Sequence, residues 1–183
     1  MPITTLDPAS ALILVDLQTG MLGYPTLRPI EGVLDRAAAL ARAFRERQRP
    51  VVLVNVAGGA PGRTEHGRRT GELPAEALRF PPELEQQPSD HVVTKRTWGA
   101  FIATGLEQTL RGAGVTQVVI GGVATSIGVE STARQAYELG FNVALALDAM
   151  TDINAEAHAN SVERIFPRLG ETGSAEEVIT RLR

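Results

Sequence analysis

The sequence predicts an α/β fold, a three-layer sandwich in which a parallel, roughly six-stranded sheet lies between two layers of helices. Short, continuous apolar runs recur along the chain, and runs without alternation are typical of strands buried on both faces of a parallel sheet. Amphipathic stretches separate these runs, as the crossover helices of such a sheet require. The predicted strands are Ala11–Asp16, Val51–Val56, His91–Lys95, Gln117–Gly122 and Asn142–Asp148, with a short sixth strand near Leu169–Thr172.

The helices are predicted from apolar residues that recur at helical spacing. The pattern covers Ile30–Arg47, the segment after Gly128, Ala155–Phe166 and Ser174–Leu182, where Ser174 is the expected N-cap. Ala57–Pro88 is rich in Gly, Pro and Arg and is long for a plain connection, which is typical of lids, binding loops and interface segments. No internal repeat or linker interrupts the pattern, so residues 1–183 are expected to form one domain.

The composition restricts the function classes. The 183 residues are 43% hydrophobic and 21% charged with a net charge of −3, as in ordinary soluble proteins. With no basic stripe, no apolar run near the ~20 residues of a membrane span and no signal peptide, we expect a cytoplasmic protein that binds neither nucleic acid nor membranes. The absence of Cys excludes thiol catalysis and disulfides. The three histidines lack metal-ligand spacing, so neither a metal nor another cofactor is expected: His66, His91 and His158.

Polar residues stand where the predicted strands end. In open parallel sheets, ligands bind beyond the carboxyl ends of the strands. Those ends carry Asp16, Asn55, Lys95, the Gly121–Gly128 turn and Asp148. Asp16 and Lys95 are either an acid–base site or a structural ion pair, and their spacing alone does not distinguish the two.

The glycine-rich turn also has two interpretations. Unpaired backbone N–H groups at a helix start can bind an anion or a developing oxyanion. The alternative is an ordinary strand-to-helix turn with Thr125 or Ser126 as its N-cap. A further anion site is suggested by the arginines of the long loop, which either hold a carboxylate or are simply solvated: Arg63, Arg68 and Arg69.

Three motifs together carry a family resemblance. "LILVDLQTG" (12–20), "TKRTWGAF" (94–101) and "GVATSIGVESTARQAYELGFNV" (122–143) resemble the isochorismatase-like hydrolase superfamily. The resemblance implies a parallel six-stranded sheet and a non-proline cis peptide at Val123–Ala124. Typical members are cysteine amidases that use an Asp, a Lys and a Cys, and the matching positions here are Asp16, Lys95 and Gly128.

Gly128 cannot be a nucleophile, which excludes an acyl-enzyme amidase mechanism. The isochorismatases proper also lack this Cys and cleave a vinyl ether with water. The resemblance therefore implies a hydrolase in which Asp16 is the general acid and Lys95 orients it and holds a carboxylate of a small substrate. Gly128 would leave room for the substrate ring, and the helix N-terminus would help to hold an anion. The expected substrate contacts are Gln18, Asn55, Trp98, Phe101, Val123, Ala124, Thr125 and Ser126. A homodimer or homotetramer is also expected.

Two alternatives are open at this point. Apart from its Gly, the turn is more similar to the amidase branch. A catalytically silent binding protein derived from a cysteine amidase, with a small amide or carboxylate as ligand, is therefore a second hypothesis. A generic α/β ligand binder is the third, and the three ordered motifs disfavour it.

Overall fold

The computed structural model describes residues 2–65 and 71–182, so the predicted roles of His66, Arg68 and Arg69 lie outside the described residues. Within this part, six parallel strands form one sheet in the order β3-β2-β1-β4-β5-β6, which confirms the predicted fold class. The strands are β1 Ser10–Val15, β2 Val51–Val56, β3 His91–Lys95, β4 Gln117–Val123, β5 Asn142–Thr151 and β6 Glu171–Gly173.

The helices cover both faces of this sheet. They are α1 Ile30–Glu46, α2 Leu106–Gly112, α3 Glu130–Glu138, α4 Ala155–Asn160, α5 Phe166–Leu169 and α6 Ala175–Arg181. Alternate side chains of each strand enter different cores. Leu12 and Leu14 pack with apolar residues of α1 and α6, whereas Ile13 and Val15 pack with those of α2 and α3. Each fully buried side chain of this size contributes about 1.5–3 kcal/mol, so the two cores hold the strand ends in fixed relative positions.

Some helix predictions are corrected by the structure. The sequence pattern missed α2, a short helix whose Leu106 and Leu110 are buried. The single helix expected over 155–166 is interrupted by a π-helical turn at Ser161–Ile165. Pro167 follows two residues after the end of this turn and lacks the N–H that a continuous α-helix would use, so the wider turn accommodates it. Ser174 is the N-cap of α6, as predicted: its side chain accepts the N–H of Glu177.

The predicted end of β5 is wrong. Ile120 pairs with Leu145 and Gly122 with Met150, so β5 carries extra residues over this stretch and continues to Thr151. Asp148 consequently lies within β5, where its carboxylate accepts the N–H of Ala175 at 2.6 Å. It supports the start of α6 and is not at the carboxyl edge.

The order of the strands reverses between β1 and β4. β2 and β3 lie on one side of β1, and β5 and β6 lie on the opposite side of β4. Such a reversal opens a crevice at the carboxyl ends of the two central strands. The loop after β2 starts beside this crevice. It is closed at its base, where the Leu73 N–H donates to the Ala57 carbonyl at 3.0 Å and the Ala57 N–H donates to the Lys95 carbonyl at 2.9 Å.

Candidate active site

Three strand ends bring Asp16, Lys95 and the turn after β4 together at the crevice. Asp16 follows β1 directly and adopts a left-handed backbone (φ 54°), a conformation that Asp tolerates better than most residues. Lys95 ends β3 and reaches across the end of β2. Its Nζ lies 2.7 Å from Asp16 Oδ2 and donates a second hydrogen bond to the Thr97 carbonyl at 3.1 Å.

The Asp16 carboxyl is buried but only half satisfied. The residue is 7% exposed and Lys95 2% exposed. Within residues 2–65 and 71–182, Asp16 Oδ1 is buried and has no hydrogen-bond partner. Burial raises the pKa of Asp16 from 3.8 to about 6, and the charge and hydrogen bond of Lys95 oppose this only in part. The site thus holds a carboxyl group that exchanges a proton close to neutral pH.

The turn after β4 packs tightly against this carboxyl. The Val123–Ala124 peptide is cis, as the resemblance implied, and Thr125–Val129 forms a π-helical turn before α3. A Cβ placed on Gly128 would lie 3.1 Å from Asp16 Oδ2 and 3.0 Å from Val15 Cγ1. These separations are shorter than ordinary carbon contacts, so glycine permits the approach.

A cavity of about 630 Å³ opens onto these groups. Its apolar walls include Met21, Val56, Val123 and Ile127. Trp98 stands at the wall with 64% of its surface exposed. A volume of this size is typical of small-molecule sites, and the acid lies against its inner wall.

Comparison with known proteins places this architecture. The model of the isochorismatase domain matches residues 10–177. The chain belongs to the isochorismatase family. It is 40% identical to the uncharacterized isochorismatase family protein YecD of Escherichia coli O157:H7, over 94% of this chain and 96% of that protein. It is 38% identical to the uncharacterized isochorismatase family protein YwoC of Bacillus subtilis strain 168, over 95% and 94% of the two chains.

A solved structure shows the same fold. The isochorismatase family protein of Burkholderia thailandensis superposes with a TM-score of 0.93 at 39% identity, covering 97% of each chain. The family resemblance read from the three motifs is thereby confirmed, and the chain is an isochorismatase-family hydrolase by sequence and by fold.

Of the substrate contacts that the sequence predicts, Trp98, Val123 and Ala124 line the cavity. Gln18, another predicted contact, bonds to backbone groups instead. The amide of Gln18 is fully buried and bonds to the backbone of Val56 and Ala77, so it fixes the loop after β1.

Asn55 and Phe101 are also not among the described residues that line the cavity. The Asn55 amide donates to the Leu78 carbonyl at 3.0 Å, and the residue lines a separate depression of about 440 Å³. Phe101 is buried, with its ring centroid 5.9 Å from that of Phe141. Their predicted roles in substrate binding stay predictions.

Sequence reasoning missed two residues behind the turn, Asp152 and His158. The Ser126 N–H, expected to help hold an anion, donates to Asp152 Oδ2 at 2.7 Å. Thr125 is fully buried, with its hydroxyl 2.9 Å from His158 Nδ1. Asp152 is recognisable in the sequence from its position between the apolar run of β5 and a helix. It was missed because β5 was expected to end earlier.

Two features are absent from residues 2–65 and 71–182. No helix in these ranges is long and apolar enough to cross a membrane. No group of three or more His, Asp or Glu side chains in the same ranges is arranged to hold a metal ion.

The raised pKa of Asp16 predicts a pH dependence of stability. The folded state, with a pKa of about 6, binds the proton more tightly than the unfolded chain, with 3.8. The free energy of unfolding should therefore fall as the pH rises from about 4 to 6, by up to about 3 kcal/mol, and level off above. Urea unfolding of the wild type and of Asp16→Asn across this range measures it as the difference between the two proteins.

Taking the difference in unfolding free energy between the wild type and Asp16→Asn removes the contributions of other titrating groups. His158, for example, has a pKa lowered by burial and by Arg28, and it acts in the opposite sense. A difference that does not change with pH would contradict the raised pKa.

Proposed function

We propose that this chain hydrolyses the vinyl ether of a small carboxylate substrate, with Asp16 as the general acid, Lys95 as its partner and no covalent intermediate. The observation that carries the proposal is the Asp16 carboxyl, which lines the cavity and whose buried Oδ1 has no hydrogen-bond partner among the described residues. A carboxyl with a pKa of about 6 is about one-tenth protonated at pH 7 and is therefore a competent proton donor.

The proposed reaction has three steps. The Asp16 proton passes to the terminal carbon of the enol ether, and the ether carbon becomes an oxocarbenium ion. Water adds to that carbon and loses a proton, giving a hemiketal. The hemiketal collapses to a ketone and an alcohol, and the proton lost by the water restores the acid. Every bond is made to water or to a proton, so the reaction needs no protein nucleophile.

Lys95 supports this chemistry in two ways. Its bonds to Asp16 and Thr97 use two of its three ammonium donors, which leaves one for a substrate carboxylate. Its charge also stabilises the Asp16 carboxylate that forms when the proton leaves. The Ser126 N–H already binds Asp152, so Lys95, rather than this end of the turn, is the proposed carboxylate contact.

The test is a product assay on the purified protein. It is incubated with isochorismate, with simple enolpyruvyl ethers and with a panel of small amides, while pyruvate and ammonia are measured. We expect pyruvate from an enol ether in the wild type and in Asp35→Asn, a change at an exposed position of α1. Ammonia from an amide, or ligand binding by calorimetry without any product, would contradict the proposal; the second outcome identifies the silent binding protein.

A further inference from the structure

The far side of the turn after β4 is tied to residues 152–161 by polar side chains. Asp152 is 1% exposed. One of its carboxylate oxygens accepts the Ser126 N–H at 2.7 Å, and the other accepts the N–H groups of Ile153 and Asn154 at 2.8 and 3.1 Å. This buried carboxyl group connects the turn to the start of α4 with three hydrogen bonds.

Two further links follow, one from α4 and one from the π-helical turn after it. His158 Nδ1 lies 2.9 Å from the Thr125 hydroxyl, and the Ser161 hydroxyl donates to Glu130 Oε2 at 2.6 Å. Burial and the nearby Arg28 lower the pKa of His158, although Asp152 opposes this. The lowered pKa favours the neutral ring, whose Nδ1 can accept a hydrogen bond from the Thr125 hydroxyl.

The near side of the same turn touches the acid. Val123, Ala124, Ile127 and Gly128 line the cavity, and Gly128 lies close enough to Asp16 Oδ2 that an added Cβ would be 3.1 Å away. The turn therefore covers the carboxyl on this side. Any outward movement of the turn would admit water beside Asp16.

We propose that Asp152, His158 and Thr125 are positioning residues that hold the turn against the Asp16 carboxyl and keep water from it. The effect on Asp16 depends on geometry alone, whereas its consequence for catalysis rests on the function proposed above. Since burial is the largest cause of the raised pKa of Asp16, a loosened turn should bring that pKa back toward its ordinary value.

The first test needs no substrate. The pKa of Asp16 is measured by NMR on protein labelled with ¹³C at the Asp carboxyl, with Asp16→Asn used for assignment. Thr125→Val and His158→Leu each remove the hydrogen bond between Thr125 and His158. Thr125→Ser keeps the hydroxyl, and His158→Asn keeps a polar atom near the position of Nδ1.

We expect Thr125→Val and His158→Leu to lower the pKa of Asp16 by about half a pH unit or more, since added hydration favours the carboxylate. The two conservative variants should retain the wild-type value. Asp90→Asn is the matched control, because it weakens the partly buried pair between Asp90 and Arg45 at 2.7 Å, which precedes β3 at the opposite edge of the sheet. It should lower stability without changing the pKa of Asp16. The test does not use Asp152→Ala, so its outcome does not depend on whether a variant without this buried carboxyl folds.

The second test follows the reaction. For an active protein, the loss of the Thr125–His158 link should lower kcat more than it changes KM and move the pH profile of kcat/KM toward lower pH. An unchanged Asp16 pKa in both Thr125→Val and His158→Leu would overturn the positioning role. Full activity in Asp16→Asn would instead overturn the proposed function and leave the NMR result standing.

Discussion

In the variant Asp16→Asn, kcat for enol-ether hydrolysis is expected to fall on the order of 10²- to 10⁴-fold, which is the usual contribution of a positioned general acid. Asn has the same shape and still accepts a hydrogen bond from Lys95, 2.7 Å from Asp16 Oδ2 in the wild type, but it has no transferable proton. KM should therefore change much less than kcat. Steady-state kinetics on both proteins, with pyruvate as the measured product, separate the two parameters.

Asp35→Asn makes the same chemical change on the exposed face of α1 and should leave both parameters at their wild-type values. A fold check by circular dichroism accompanies each variant, because Asp16→Asn removes the charge that faces a buried ammonium. If a folded Asp16→Asn variant retained the wild-type kcat, another group would have to supply the proton.

The variant Gly128→Ala should lose both stability and activity. The new methyl group would lie 3.0 Å from Val15 Cγ1 and 3.1 Å from Asp16 Oδ2, so the turn or the carboxyl must move. Overpacking of this kind costs about 1–3 kcal/mol of unfolding free energy. Displacement of the acid by a fraction of an ångström to one ångström should lower kcat on the order of 10²-fold. Urea unfolding and steady-state kinetics measure the two effects.

Gly32→Ala is the matched control for this substitution. Gly32 lies in α1, where an added Cβ would meet no heavy atom within 4 Å. Alanine there should raise stability by about 0.5–1 kcal/mol, because glycine is unfavourable inside a helix. Were Gly128→Ala as stable and active as Gly32→Ala, the close packing of the turn on Asp16 would have no functional weight.

The sheet was predictable because its strands carry a local signal. β2 is a nearly continuous apolar run, β3 is centred on Val92 and Val93, and the predicted bounds of both match the structure. β5 was predicted too short, because its extra residues have no counterpart in β4. The pairing between two strands cannot be predicted from the sequence of one of them. α2 was missed because seven residues ending in glycine present too little periodicity.

The convergence of Asp16, Lys95 and Gly128 was expected from their positions at the carboxyl ends of predicted strands and from the three family motifs. Contacts that depend on the direction of a side chain could not be predicted from the sequence. Gln18 lies two residues after Asp16 yet bonds to backbone groups. Asp152 directly follows β5 and His158 lies in α4, both distant in sequence from the turn, so their hydrogen bonds to it appear only when β5 and α4 are placed.

The closed base of the loop after β2 has a consequence for how this protein can evolve. The Leu73–Ala57 bond and the Ala57–Lys95 bond fix both ends of the loop independently of what lies between them. Doubling the length of such a loop costs only about 0.6 kcal/mol in closure entropy. Insertions, deletions and grafted sequences in this segment can therefore alter the entrance of the cavity in small, affordable steps. The sequence of this loop can thus change while the Asp16–Lys95 ion pair keeps its place.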